Sequence, residues 1–200
     1  KNASKLGSTI AKAFDGCVKA GVKAGAGSCV TTAGADTKAK VPGAKTKLLD
    51  GIATSCIGAA TALAEHELCG TPVGGAIPDA ATLGVCLGTL VDENVERLKV
   101  DLLNPDYAAA LADSTKLSGK CINAIAKAAT KHFSTIQKEQ SKAVNASDKI
   151  GGDSNYANPG DPAGKIAASA TKVSDGITKA CGTLTGDQWG IVRTCDDDLA

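Results

Sequence analysis

The sequence predicts an all-α fold: a disulfide-stapled helical hairpin written twice, with about six or seven helices in all. Three observations carry this expectation. Apolar residues recur at helical spacing along much of the chain. Strand signals are weak, because β-branched residues do not alternate with polar ones over useful lengths. The stretch Thr46–Cys56, TKLLDGIATSC, returns as TKVSDGITKAC at Thr171–Cys181, with six of eleven positions identical at an offset of 125.

The elements follow in chain order. Ile10, Phe14, Cys17 and Gly21 fall on one face of a first helix. TTAGADTKAKVPG (Thr31–Gly43) reads as a loop, and Pro42 sits near the start of a helix whose stripe is Leu48, Ile52 and Cys56. A break at CGTPVGGAIPD (Cys69–Asp79) precedes the most apolar run, LGVCLGTLV (Leu83–Val91), which is too short to span a bilayer. Asn104-Pro105 and Asp161-Pro162 each place a good N-cap before a proline at the first helical position. Leu117, Cys121 and Ile125 mark one later helix, and Val173, Ile177 and Cys181 another, with a loop over Ser147–Pro162 between them. Residues 4–70 read as hairpin repeat 1, 71–105 as a linker with an apolar helix, and 106–196 as hairpin repeat 2, together one compact domain.

Such a core is thin. Phe14, Tyr107, Phe133, Tyr156 and Trp189 are the whole aromatic set of a 200-residue chain. At about 25 cal/mol per Å² of apolar area, small side chains bury little. Covalent support is expected from Cys17, Cys29, Cys56, Cys69, Cys86, Cys121, Cys181 and Cys195. No CxxC, CxxCH or Cys/His cluster occurs, so zinc-finger, thioredoxin-like and c-type haem chemistry lack their ligands. An even set of eight cysteines reads as four disulfides and an oxidising compartment; the competing reading is buried reduced thiols. Facing residues of an antiparallel hairpin have a near-constant sum, which favours Cys17–Cys69, Cys29–Cys56 and Cys121–Cys195; Phe133 stands where Cys181 would find its rung, which leaves Cys86–Cys181. The chain contains no methionine, and KNASKLGS reads as a mature N-terminus after removal of an export signal; the expected localisation is secreted and extracellular.

The net charge of +1 disfavours nucleic acid as a partner, but charge is laid out in blocks. Residues 1–63 carry +6, 64–106 carry −6, 107–150 carry +4 and 151–200 carry −3. Alternating blocks pair within a fold or between copies of it.

No catalytic signature stands out. His66 is followed by Glu67, but HExxH is absent, and His132 has no obvious carboxylate or cysteine beside it. GxSxG, the P-loop and GxGxxG after a strand are missing. GDSNYANPGD supplies Asp153, Asn155, Asn158 and Asp161, oxygen ligands in a spacing that departs from the EF-hand, so a plain polar loop is the better reading. The expectation is no catalytic residue, no metal and no cofactor. NAS at Asn2 and Asn145 gives two candidate glycan acceptors.

The segments GKC, DPAGKIA and KVSDGITKAC give the chain a texture that resembles the uncharacterised Ala/Lys/Cys-rich exported helical proteins of deltaproteobacterial-type genomes. The likeness covers residues 114–125 and 161–195 best and 38–70 more loosely. It implies export, helices and disulfides, and it carries no catalytic residue over.

Three function classes compete. The favoured expectation is an exported self-assembling structural protein, a homo-oligomer or polymer forming a filament, sheath or surface layer, with Leu83, Leu87, Leu90 and Val91 as the assembly interface. The alternative is a secreted helical binding module for a small apolar ligand or another protein. An enzyme with an unfamiliar site comes last.

Overall fold

Leu6, Ile10, Phe14, Cys17, Val18 and Gly21 lie on one buried face of α1 (Asn2–Ala24), the helix around which the core is organised. The computed structural model describes residues 2–27, 29–56, 77, 79–102, 105–149, 161 and 163–192. Seven further helices follow: α2 (Thr32–Ala35), α3 (Lys40–Ser55), α4 (Ala80–Leu102), α5 (Tyr107–Ala112), α6 (Leu117–Lys149), α7 (Lys165–Cys181) and α8 (Gly186–Val192). Among the described residues there is no strand, so the all-α expectation holds and the helix count lies close to the six or seven expected.

Helix α1 packs against α3, α4 and α6, while α7 lies along α6. The α1–α6 contact is antiparallel and close, because glycines stand where the helices touch. A Cβ on Gly7 would come within 3.3 Å of the Phe133 ring, and one on Gly119 within 2.7 Å of Val22 Cγ1. Small residues therefore substitute for large ones here: backbones approach, and dispersion contacts accumulate without aromatic bulk.

Helix boundaries differ from the sequence expectation in an instructive way. The supposed loop Thr31–Gly43 contains the whole of α2 and the start of α3. Asp106, rather than Asn104, caps α5, accepting from Ala109 N at 2.9 Å, and Pro105 precedes that cap. Asp161 does cap α7, but from a distance: the N-cap position is Gly164, and Asp161 reaches forward to the amides of Lys165, Ile166 and Ala167. The Cys69–Asp79 break and the Ser147–Pro162 loop fall mostly outside the described residues.

The disulfide map is corrected at each described pair. Cys17 pairs with Cys29, and Cys121 with Cys181. Cys56 carries a free thiol. Cys86 is disulfide-bonded, and Cys69 and Cys195 lie outside the described residues. The expected pairs Cys17–Cys69, Cys29–Cys56, Cys121–Cys195 and Cys86–Cys181 placed Cys17 and Cys29 on successive rungs facing a second helix. Instead α1 stops at Ala24, and Gly25 and Gly27 take φ of 64° and 118°, a left-handed backbone that glycine adopts freely. The chain thus folds back and sets Cys29 against the last turns of its own helix.

Charge pairs inside the chain as well. Part of the acidic block lies on α4, where Asp92 forms an ion pair with Lys45 and Glu96 Oε2 accepts from Thr32 N at 2.6 Å. Lys99, on the same helix, is 1 % exposed. Its ammonium donates to Asp15 Oδ1 at 3.0 Å, to the Ala126 carbonyl at 3.2 Å and to Thr130 Oγ1, joining α1 and α6 across α4. Burial lowers its pKa below the ordinary lysine value, and Asp15 opposes that shift.

Candidate functional site: two lysine-lined grooves

Within the apolar run Val85 is exposed, and Leu83, Leu87, Leu90 and Val91 are half-buried. Leu87 and Val91 pack against the main core, and Leu83 and Leu90 against Ile77 and Cys86. Openings lined by polar side chains lie elsewhere, between the helices of each hairpin.

The larger groove runs between α6 and α7 and encloses about 900 Å³. Lys127 and Lys131 project from α6, and Lys165 and Lys172 from α7. Ser134, Thr135 and Ser169 add hydroxyls, and Ala124, Ala128, Ala168, Val173 and Gly176 complete the lining. The helical repeat produces this arrangement: on α7, positions 165, 168, 169, 172, 173 and 176 share one face, with lysine at its edges and small residues between. At the far end Glu139 pairs with Lys142 at 2.8 Å. Lys142, Lys165 and Lys138 together hold the Glu139 carboxyl below its usual range, with the Lys142 hydrogen bond the largest cause. One carboxylate there is outnumbered by cations.

The second groove lies between α1 and α3 and encloses about 480 Å³. It is lined by Asn2, Lys5 and Thr9 from α1, by Lys40, Gly43, Ala44 and Lys47 from α3, and by Ala39 just ahead of it. The two grooves correspond residue by residue. Adding the echo's offset of 125 carries Lys40, Gly43, Ala44 and Lys47 onto Lys165, Ala168, Ser169 and Lys172. Adding 126 carries Lys5 and Thr9 onto Lys131 and Thr135.

Local geometry repeats with them. Asp36 accepts from the amides of Lys40 and Val41 as Asp161 does from Lys165 and Ile166. Ahead of each helix one residue is left-handed, Ala39 at φ 49° and Gly164 at φ 62°. The Thr9 hydroxyl donates back to the Lys5 carbonyl at 2.8 Å, and the Thr135 hydroxyl to the Lys131 carbonyl at 3.0 Å. The match between the α3 and α7 segments thus reaches back to Asp36 and Asp161, ten residues before the echo that the sequence shows plainly, and eight of those 21 positions are identical. Conservative pairs such as Val41/Ile166 hid it, and Asp36 and Asp161, each four residues before its lysine, were the signal that could have revealed it.

The other sequence-predicted residues fall as follows. His132 is half-buried on α6, its Nδ1 without a hydrogen-bond partner among the described residues. His66 lies outside them, as do Asp153, Asn155 and Asn158. No grouping of three metal-ligating side chains occurs among the described residues. Asn145 is exposed on α6, while Asn2 Nδ2 donates to the Lys47 carbonyl at 3.1 Å. No helix among the described residues is long and apolar enough to cross a membrane. Comparison with protein-family models, curated proteins and solved structures finds no match for the chain.

Chemically, such a groove can bind but offers little else. Lysine ammoniums are mobile point charges with three donors each, suited to oxyanions. At about 4 Å each attracts an anionic oxygen by about 1 kcal/mol at bulk permittivity and about 4 kcal/mol at an effective value near 20. Among the described residues no aromatic ring lines either groove, so they offer stacked bases no platform.

Proposed function

We propose that this chain is a non-catalytic, exported binding protein for multivalent oxyanions, with the α6–α7 groove as its main site. One observation carries the reading: four lysines from two helices line one groove, among small side chains. Disulfides suit an oxidising exterior. Four contacts near bulk permittivity correspond to about millimolar affinity, and partial shielding by the helix walls moves this toward micromolar. Surface charge pairs are screened by salt, so binding weakens steeply as ionic strength rises.

Self-assembly stands as the second reading: Leu83, Leu87, Leu90 and Val91 are partly buried against the core, and the Lys45–Asp92 pair joins opposite charge blocks within the chain, so these residues serve the fold as well. Calorimetric titration with inorganic tripolyphosphate at low ionic strength tests the binding reading. The expected result is saturable binding that K131E/K172E weakens by more than about tenfold. Absence of heat at low salt, together with a concentration-dependent rise in size on gel filtration, would return the assembly reading to first place.

A further inference from the structure

We infer that the α1–α3 groove is a second site for the same class of ligand, so that one chain holds two oxyanions. This rests on the reading proposed above. The argument is correspondence rather than resemblance of type. Lys5, Lys40 and Lys47 occupy the positions of Lys131, Lys165 and Lys172. The capping carboxylate, the left-handed residue and the threonine back-bond stand at matching offsets, so the lysine-bearing backbones follow the same path in both copies.

The two sites are unequal. By the same offset of 126 Lys127 corresponds to Lys1, which lies outside the described residues. Asn2 stands where the second groove has Ala128. Its side chain bends over the mouth, donating to the Lys47 carbonyl, and its Nδ2 would lie 1.9 Å from a Cβ on Gly51. The equivalent Gly176 has open space around it. The first groove is therefore shorter and weaker, and suits a shorter anion. In both copies the N-terminal amides of the lysine-bearing helix are already bonded to the aspartate, so the ligand lies along the lysines and not at the helix end.

An amide chemical-shift titration of the intact, disulfide-bonded chain with inorganic tripolyphosphate reads both grooves at once. The expected result is two isotherms, the tighter at Lys131 and Lys172 and the weaker at Lys5, Lys40 and Lys47. K5E/K47E should abolish the weaker set and leave the tighter set within about twofold. Asn2→Ala should tighten only the weaker set, by a few-fold. Shifts confined to the α6–α7 groove would overturn the second site and leave the proposed function standing. Shifts at neither groove would overturn both.

Discussion

The α1–α3 and α6–α7 hairpins share one local code and close by different means. Each places an aspartate, a left-handed residue and a lysine at the start of its second helix, and each sets lysines around a groove of small residues. In the second copy the cysteine that ends the echo, Cys181, is bonded to Cys121 at the start of the partner helix. In the first copy the corresponding Cys56 is a free thiol, and the disulfide is a local one, Cys17–Cys29, that fastens the turn after α1. The difference teaches that groove geometry is set by helix starts and side-chain size, while the covalent fastening is free to vary.

The largest test of that contrast is to remove the fastenings one at a time. C121A/C181A opens a link spanning 60 residues, and C17A/C29A one spanning 12. Loop-closure entropy makes these about 4 and about 3 kcal/mol respectively. Urea denaturation should show the second hairpin's disulfide as the costlier loss; the reverse order would mean the α6–α7 pair is held mainly by its own packing.

Next in size is the seam between the hairpins. Asp15→Ala leaves the Lys99 ammonium buried without its counter-charge and should cost about 3 kcal/mol, the low end for a broken buried pair because Asp15 still touches solvent. Lys99→Met, which removes the charge altogether, should cost less than Asp15→Ala by the same assay. A seam held by apolar packing alone would invert that ranking.

The same lysine gives a pH dependence of known sign. Its folded-state pKa is lowered by burial, so between that lowered value and the ordinary 10.5 the unfolded chain binds the additional proton. Stability contributed by this group therefore rises with pH through that alkaline window. Comparing urea midpoints of the chain and of Lys99→Met from pH 8 upward isolates it, and a falling difference would refute the assignment.

The smallest effect distinguishes the grooves directly. Gly176→Ala meets open space on an exposed helix face and should stabilise by up to about 1 kcal/mol through helix propensity. Gly51→Ala should gain measurably less, because Asn2 must give up its bond to Lys47. Equal gains would show that Asn2 does not guard the first groove.

Much of this was legible in the residues. The stripe Ile10, Phe14, Cys17 and Gly21 is buried as its spacing requires, and Cys121 and Ile125 likewise. The all-α class followed from periodicity, which depends only on which positions meet the core. Disulfide pairing did not follow, because it depends on where α1 ends, and Gly25 and Gly27 reverse the chain at that point. The grooves were hidden for a related reason. Lys127, Lys131, Lys165 and Lys172 look like solvated helix faces until two helices are laid side by side. Leu87 and Val91 are half-buried because α4 packs against α1 and α3, a placement that the apolar run by itself does not reveal.

The position of Lys99 has a consequence for taking the molecule apart. Its ammonium comes from α4, its counter-charge from α1, and two of its acceptors from α6. Excising the α6–α7 hairpin strips away Thr130 and Ala126, and leaves a cation with one of its three partners. The two hairpins can therefore be mutated separately but not severed, because the lock is placed between the halves.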